Sequence, residues 1–324
     1  MDLIAIDRAL PVSRIADIDP APPEGSWLIR SLWQKRAVGF CGGPPKCRKS
    51  WLGLEAAVAI ASGRPCLGRF EVEDPGPTLI FMAEDSKEEV RERVRGICAR
   101  RGVDIVGLDL NIITASRLSL NSPEDREGLV ATVERYKPKF LLLDPLIRIH
   151  SCDENNAREI SALLGFLRWI QREFAVSIMV THHANKKTYG RPGERLRGSS
   201  DIYAFADSAI YLFANRGSYE LTVEHRAAAP IEPFLVDLTT ENGATALTVL
   251  DDNTPPPTAE LSRRILEKLR AAAGPVTRSA LRADLKVQNQ RLGACLEQLE
   301  ATGLIDRSAD GWAATAPNLF PHAE

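Results

Sequence analysis

Short apolar runs alternate with longer amphipathic segments between residues 37 and 181. Each run is bounded by polar or glycine-rich residues, which is typical of a strand buried on both faces. The predicted strands are 37–41, 77–83, 110–114, 139–143 and 176–181. The helices predicted between them are 50–62, 86–101, 123–136 and 154–174. This alternation indicates an α/β fold with a mainly parallel sheet flanked by helices and joined by right-handed crossovers.

The pattern changes after residue 184. Residues 185–200 are polar, basic and glycine-bearing, which predicts a loop. Short apolar runs separated by turn residues then predict strands that extend the sheet in antiparallel fashion. These strands are 209–214, 219–225, 234–238 and 244–250. The segment 251–257, DDNTPPP, has the composition of a linker.

Residues 258–324 are predicted to form a separate small unit. Helices are predicted at 261–272, 278–285 and 288–302, and a hairpin at 303–307 and 311–314. Three helices followed by a hairpin is the winged-helix arrangement, a variant of the helix-turn-helix. The predicted organisation is a lead-in at 1–36, an α/β domain at 37–250, a linker at 251–257 and a C-terminal winged-helix domain at 258–324.

Composition narrows the classes of function. The chain has 324 residues, 44% hydrophobic residues and a formal net charge of -2, so no global field attracts nucleic acid. No apolar run approaches the ~20 residues of a membrane helix, and the N-terminus lacks a signal-peptide core. We therefore expect a cytoplasmic protein without a membrane partner. The six cysteines form no C-x-x-C pair, which disfavours a metal site built on cysteine.

The segment GPPKCRKS lies between a predicted strand and a predicted helix. A phosphate-binding loop needs inward backbone N–H groups, a lysine for the β- and γ-phosphates and a hydroxyl for Mg²⁺, and the helix N-terminus adds its dipole. Gly43, Lys49 and Ser50 match these places, whereas Arg48 stands where glycine is usual. ATP and Mg²⁺ are thus the predicted cofactors. The residues predicted to contact the nucleotide are Gly43, Pro44, Pro45, Lys46, Cys47, Arg48, Lys49, Ser50 and Trp51.

Carboxylates at predicted strand tips are candidates for the reaction itself. Asp144 is expected at the ligand-binding edge of the sheet, where it would contact nucleotide-bound Mg²⁺ together with Ser50. A cap of the following turn is the alternative role for Asp144. Glu84 is predicted to orient and deprotonate the attacking water, and Lys49 to stabilise the transferred phosphate. Asp85 is the rival to Glu84, or else the N-cap of the helix that follows.

A histidine pair, His182 and His183, follows the last buried strand. A histidine at this tip can hydrogen-bond the γ-phosphate and report hydrolysis to the next loop. We predict His182 as a nucleotide contact and His183 as a catalytic residue. Two buried histidines with internal hydrogen-bond partners are the alternative.

These motifs together resemble the RecA-like P-loop ATPases of the plasmid RepA-type, AAA_25-like replicative helicase family, which is related to DnaB and KaiC. The resemblance covers residues 27–250. It rests on the phosphate loop continuing into WLGL, on AEDS at 83–86, LDPL at 143–146, HHANK at 182–186 and RGSS at 197–200. It implies a RecA-like fold and a homo-oligomeric ring, such as a hexamer, with ATP between subunits.

The resemblance also implies an arginine that reaches the γ-phosphate from the neighbouring subunit. The segment YELTVEHR resembles the strand that carries this arginine. Arg226 is the best match, and Arg216 is the second candidate. DnaB-like relatives have a lysine two residues before the arginine, where this chain has Glu224.

The predicted loop after the histidines is basic. Mobile basic side chains suit sequence-independent contacts to single-stranded DNA in a ring channel; a solvated surface loop is the alternative. The predicted DNA-binding residues are Lys186, Lys187, Arg191, Arg195 and Arg197. The winged helix would add contacts to duplex DNA or to a protein partner.

The leading hypothesis is a Mg-ATP-hydrolysing motor, a DNA-dependent ATPase or helicase. The first alternative is an ATP-switched DNA-binding or assembly regulator without helicase activity. A structural ring with slow hydrolysis is the second alternative, against which a catalytic Glu84 argues. Stimulation of hydrolysis by single-stranded DNA separates the first two hypotheses.

Overall fold

A mixed sheet of nine strands forms the centre of the described structure. The computed structural model describes residues 12–18, 27–154, 156–184, 200–215, 217–250, 257–272, 274–285, 287, 289–308 and 310–315. The sheet strands in chain order are β3 (Val38–Gly43), β4 (Thr78–Met82), β5 (Leu110–Ile112), β6 (Phe140–Asp144), β7 (Ser177–His183), β8 (Ser208–Asn215), β9 (Ser218–His225), β10 (Phe234–Glu241) and β11 (Ala244–Leu250). A short hairpin, β1 (Trp27–Ile29) and β2 (Trp33–Gln34), precedes them.

The order of the strands across the sheet is β11-β10-β9-β8-β3-β7-β6-β4-β5. The strands from β8 to β5 pair in parallel, and β9, β10 and β11 are added in antiparallel fashion. The α/β fold with a mainly parallel sheet is therefore confirmed. Parallel pairing places the C-terminal ends of β3, β4, β6 and β7 along one edge, where a ligand site forms in α/β folds.

Helices cover both faces of the sheet. They are α1 (Lys49–Ser62), α2 (Lys87–Arg101), α3 (Pro123–Tyr136), α4 (Ala157–Glu173) and α5 (Ser200–Phe205). The side chains of α1 and α2 share one buried apolar cluster with the β1–β2 hairpin and β9–β11, and α3 and α4 share a second cluster with β6 and β7. No helix in the described ranges is long and apolar enough to cross a membrane.

The β1–β2 hairpin corrects the predicted lead-in. Sequence patterning indicates no element before residue 37, yet Leu28, Ile29, Leu32 and Trp33 are each at most 1% exposed and belong to the α1–α2 cluster. The two strands span three and two residues, too few for a period-2 pattern to be visible. In the described part of the chain, packed residues therefore extend upstream of residue 37 to Trp27.

The last strand of the sheet folds over the first two helices. The side chain of Glu55 in α1 accepts a hydrogen bond from the Leu247 N–H of β11 at 3.0 Å. Gly96 in α2 lies so near β11 that an added Cβ would be 2.8 Å from the Thr245 carbonyl oxygen. The sheet thus wraps α1, whose first residue is the lysine of the phosphate loop.

The C-terminal elements have a core of their own. They are α6 (Pro257–Ala271), α7 (Arg278–Leu285), α8 (Asn289–Ala301) and the antiparallel pair β12 (Ile305–Ser308) and β13 (Gly311–Ala314). Leu261, Ile265, Leu281, Leu296 and Trp312 are among the buried residues of this cluster. The order of three helices and a hairpin is the order that the sequence predicts.

Candidate active site

The C-terminal ends of β3, β4, β6 and β7 surround a cavity of about 460 Å³. Its wall includes residues 46–51 of the phosphate loop, Glu84, Asp144 and His183. Sequence analysis named all of these as site residues. Asp85, Arg93, Pro145 and Tyr219 complete the wall.

Lys49, the first residue of α1, lies inside the phosphate loop. Its ammonium group donates to the carbonyl oxygens of Gly43 and Pro44, at 3.0 and 2.8 Å, and lies 3.7 Å from the Cys47 sulfur. Gly43 and Pro44 therefore contact the lysine and do not line the cavity. Pro45, which was predicted as a nucleotide contact, does not line it either.

The backbone of the loop explains the usual glycine at the position of Arg48. Arg48 has a φ of 75° and Lys46 a φ of 66°, both in the left-handed region that L-residues seldom adopt. The Arg48 guanidinium lies over the Tyr219 ring, 5.8 Å from its centroid, and the Tyr219 hydroxyl donates to the Lys46 carbonyl oxygen at 3.4 Å. Tyr219, on β9, thus braces the strained loop. No sequence motif marks this role.

Ser50 and Asp144, the predicted Mg²⁺ pair, are brought together. The Asp144 side chain is buried and accepts hydrogen bonds from the hydroxyls of Ser50 and Thr181. Burial raises the pKa of the Asp144 carboxyl, and the hydrogen bonds from Ser50 and Thr181 oppose that shift. A hydroxyl and a carboxylate are hard oxygen donors, so this pair fits Mg²⁺.

Two neighbouring acids after β4 each pair with an arginine, in different ways. One Glu84 oxygen accepts a hydrogen bond from Arg148 Nε at 2.8 Å, the one that the described residues give it, and the two side chains are 49% and 61% exposed. Both Asp85 oxygens accept from Arg93, at 2.7 and 2.8 Å, and these side chains are 21% and 25% exposed. Asp85 is therefore held firmly, whereas Glu84 is held at one point near solvent.

Asp85 does not cap α2, which corrects one predicted role. The N-cap is Ser86, whose hydroxyl accepts from the Glu89 N–H while the Glu89 carboxylate accepts from the Ser86 N–H. This reciprocal capping box is visible in the sequence as S-x-x-E. Asp85 is left facing the cavity, beside Arg93, which lies 5.7 Å over the Trp51 ring.

The family model AAA_25, described as an AAA domain, matches residues 7–188, which include the phosphate loop, both acids after β4, Asp144 and the histidine pair. The match spans more than half of the chain. The chain belongs to the AAA_25 family. It is a RecA-like P-loop ATPase.

Solved structures agree with this fold. The AAA_25 chain is similar to a solved ATPase domain, with a TM-score of 0.51 and 16% identity over 66% of this chain and 85% of that chain. It is also similar to a DnaB-like replicative helicase, with a TM-score of 0.50 and 16% identity over 65% of this chain and 57% of that chain. The matched region therefore spans just over half the length of that helicase. At such identity the likeness establishes the fold.

The two histidines of the AAA_25 site lie on opposite faces of β7. His183 lines the cavity. His182 is 1% exposed, with its ring 6.0 Å from Phe40 and its Nδ1 4.0 Å from a Glu154 carboxylate oxygen. Neighbouring residues of a strand point to opposite faces, so only one of the pair can reach the nucleotide. The geometry therefore favours His183 over His182 as a nucleotide contact, and the role of His182 stays a prediction.

Arg226 lies at the other end of the sheet from the phosphate loop. Its N–H donates to the Asp207 carbonyl oxygen, and the Asp207 N–H donates to that of Val38, the first residue of β3. Gly43 ends the same strand, roughly 16 Å away at the usual rise per residue. The Arg226 guanidinium is about half exposed and donates to the carbonyl oxygens of Ala204 and Phe205 at 2.7 and 2.9 Å. It cannot reach the phosphate loop of its own chain.

The predicted DNA contacts lie outside the described residues. These are Lys186, Lys187, Arg191, Arg195 and Arg197, and the same holds for Arg216, the second arginine candidate. Arg93, Arg148, Thr181 and Tyr219 were not predicted, and the structure adds them to the site or its immediate support.

Proposed function

We propose that this AAA_25 chain hydrolyses Mg-ATP as a DNA-dependent motor, working as a ring with ATP sites between subunits. The observation that carries the proposal is the meeting of Lys49, the Ser50–Asp144 pair and Glu84 around one cavity. These residues supply the charge, the metal ligands and the base that phosphoryl transfer to water requires. DNA as the partner rests on the resemblance to replicative helicases and on the basic segment 186–197.

The phosphate loop and α1 would bind the triphosphate. Lys49 leaves the carbonyl oxygens of Gly43 and Pro44 to contact the β- and γ-phosphates, and the first N–H groups of α1 point towards the same oxygens. Ser50 and Asp144 would hold Mg²⁺ directly or through water. When bound, Mg²⁺ would offset the negative charge that develops on the phosphates during transfer.

Glu84 is the better candidate for the general base. A base needs a free carboxylate oxygen within hydrogen-bond reach of the attacking water. Among the described residues, Arg93 occupies both oxygens of Asp85, whereas Glu84 accepts one hydrogen bond and has about half of its side chain exposed. Asp85 then serves to fix Arg93 and Trp51 at the mouth of the cavity.

Arg226 supports a site shared between subunits. An arginine supplied by a neighbour stabilises the transferred phosphate and is worth on the order of 10³-fold or more in related reactions. Arg226 is half exposed and lies at the sheet end opposite to its own phosphate loop, so only the loop of another copy is available to it.

The C-terminal elements support a winged-helix domain at about 258–324. The helices α6, α7 and α8 precede the β12–β13 hairpin, as the winged-helix arrangement requires. Trp312 of the hairpin is buried in one cluster with Ile265 of α6, Leu281 of α7 and Leu296 of α8. The hairpin and the three helices therefore pack as one unit.

The charge of this C-terminal unit bears on its partner. Basic and acidic residues nearly cancel over 258–324, so the unit has no strong positive field for nucleic acid. That balance favours the second candidate function, in which the unit docks a protein partner and the ATPase acts as a switch without helicase activity.

The first test is the ATPase rate with and without single-stranded DNA. We expect the parent to hydrolyse ATP and to be stimulated by DNA, and Lys49→Ala to be inactive. Glu84→Gln should bind ATP but lose at least ~10²-fold in turnover, as is typical when a general base is removed. A folded Lys49→Ala protein with normal turnover would refute the site. Loss in Asp85→Asn with retention in Glu84→Gln would reverse the roles of the two acids.

Mixed assemblies test the shared site. Lys49→Ala subunits have a defective phosphate loop and an intact Arg226, and Arg226→Ala subunits have the reverse. Mixing the two inactive proteins should restore activity at interfaces where an intact loop meets an intact arginine. Demonstrated subunit exchange without recovery would count against a site between subunits. Hydrolysis that DNA does not stimulate would favour the regulator over the helicase.

A further inference from the structure

We propose that Arg148 is a positioning residue that restrains Glu84, and that a nucleic-acid phosphate releases the restraint by taking the arginine for itself. This inference rests on the proposed function, because it concerns the base of the same reaction. DNA would then stimulate ATP hydrolysis by breaking one exchangeable hydrogen bond, the one between Arg148 and Glu84.

The position of Arg148 joins the base to the metal ligand. Arg148 ends a 3₁₀ turn, Leu146–Arg148, that begins two residues after Asp144. Its Nε donates to a Glu84 oxygen at 2.8 Å, while Glu84 itself lines the nucleotide cavity. The same short segment thus carries the Mg²⁺ ligand and the group that holds the base.

The pair is built to exchange partners. Ion pairs between exposed groups contribute about 0–1 kcal/mol, and both members of this pair are at least 49% exposed. The neighbouring pair of Asp85 and Arg93 has two hydrogen bonds and roughly half that exposure. A permanent structural pair is expected to resemble Asp85 and Arg93, and the Glu84 pair does not.

The chemistry of both partners favours release by phosphate. The hydrogen bond from Arg148 occupies one Glu84 oxygen and fixes the orientation of the carboxylate, so the paired Glu84 is less able to turn its other oxygen towards the attacking water. Within the described part of the chain, the structure shows one hydrogen bond from the Arg148 guanidinium, through Nε. Its remaining N–H donors match the fork geometry in which arginine binds phosphate.

The turn that carries Arg148 packs against the strand that precedes the basic segment. Leu146, in the same turn, is buried in one cluster with Val180 of β7. β7 leads directly into the basic segment 186–197 that is proposed to bind single strands. A single strand bound to that segment is the proposed source of the phosphate that Arg148 takes.

The experiment measures steady-state ATP turnover, with and without an oligothymidylate strand, in the parent, Arg148→Ala and Arg148→Lys. Each of the three is also made in the Glu84→Gln background. Arg158→Ala, an exposed arginine at the start of α4, is the matched control for loss of one positive charge. Arg148→Ala should raise basal kcat about two- to fivefold, the range for an exposed ion pair, and leave KM for ATP unchanged. Stimulation by DNA should shrink by the same factor.

Further outcomes separate positioning from a structural role. Arg148→Lys keeps a donor for Glu84 and should stay near the parent, and Arg148→Ala should have no effect when Glu84 is already Gln. A basal kcat that falls or stays constant in Arg148→Ala would overturn the restraint. A raised basal kcat with full DNA stimulation would overturn the exchange with phosphate. A parent that does not hydrolyse ATP, or does so without Glu84, would instead refute the proposed function.

Discussion

Glu55 of α1 and Arg101 of α2 form a buried ion pair that also fastens the last strand of the sheet. Arg101 donates to the Glu55 carboxylate at 3.0 to 3.2 Å and to the Leu247 carbonyl oxygen at 2.7 Å. Glu55 accepts in turn from the Leu247 N–H at 3.0 Å. One pair thereby joins the phosphate-loop helix, its neighbour and β11.

Replacing Arg101 with Met should destabilise the protein in a pH-dependent way. Burial raises the pKa of Glu55 to about 7, and Arg101 opposes that shift. Above that pH the parent pairs two charges, so loss of Arg101 leaves a buried carboxylate without its cationic partner, at a cost on the order of 3–5 kcal/mol. At about pH 5 the folded parent already has Glu55 protonated, so the loss should be smaller.

Urea unfolding at about pH 5 and about pH 8 measures this difference. The double variant Glu55→Gln/Arg101→Met keeps an acceptor for Leu247 and has no group to titrate at position 55. The difference in unfolding free energy between this double variant and Glu55→Gln should therefore not grow with pH. An Arg101→Met effect of equal size at both values would contradict the account of the pair.

Replacing Arg48 with Gly should leave the site working. The φ of 75° at Arg48 costs an L-residue about 1–2 kcal/mol, a strain that glycine does not have. The gain is balanced by the greater freedom of glycine in the unfolded chain and by the lost contact with Tyr219. We expect unfolding free energy within about 1 kcal/mol of the parent and ATP affinity that is retained. Arg48→Val, a β-branched control, should have a lower free energy of unfolding and a weaker ATP affinity than the parent.

Replacing Gly43 with Ala should weaken nucleotide binding. A Cβ at Gly43 would lie 2.4 Å from the Leu212 carbonyl oxygen and 2.5 Å from the Cys47 sulfur, so the loop must move. Gly39→Ala is the contrasting variant at the other end of β3, where the Cβ would lie 1.8 Å from the Ser208 carbonyl oxygen. We expect Gly43→Ala to bind ATP at least tenfold more weakly while still folding, and Gly39→Ala to unfold at lower urea. Calorimetric titration measures the ATP affinity, and circular dichroism measures unfolding in urea.

Replacing Thr181 with Val should weaken the use of Mg²⁺. The Thr181 hydroxyl donates to Asp144, and outer hydrogen bonds of this kind are worth about 10–100-fold in metal affinity. Because this bond opposes the raised pKa of Asp144, its loss raises that pKa further. Metal binding requires the ionised carboxylate. As the pH is lowered at limiting Mg²⁺, the variant should therefore lose activity at a higher pH than the parent does. Excess Mg²⁺ should restore it, and a defect that excess Mg²⁺ does not correct would contradict this role.

The apolar runs predicted the sheet, and the residues at their ends predicted the site. Lys49, Ser50, Glu84 and Asp144 could be found because parallel strands bring their C-terminal ends to one edge. The sequence could also have predicted that His182 and His183 point to opposite faces of the sheet, because side chains alternate along a strand. The capping box at Ser86 was likewise visible and excluded Asp85 as the cap.

Other features depend on contacts that no local pattern encodes. Arg148 meets Glu84 across 64 positions of sequence, and Tyr219 meets the phosphate loop across 173. Arginines and tyrosines at such distances carry no spacing signal, and their partners emerge only when the sheet is assembled. The β1–β2 hairpin was missed for a different reason, since its strands are too short to show a period.

The separation of Arg226 from the phosphate loop restricts the symmetry of any assembly that shares the site. Each copy offers an arginine at one end of its sheet and a loop at the other, so the contacting surfaces are different patches. A two-fold dimer satisfies both contacts only if one interface spans both ends of the sheet, with the two sheets side by side and antiparallel; otherwise the contact is heterologous and head-to-tail. Repetition of the contact either closes into a ring or continues as a helical filament, and the rotation between neighbours alone decides which.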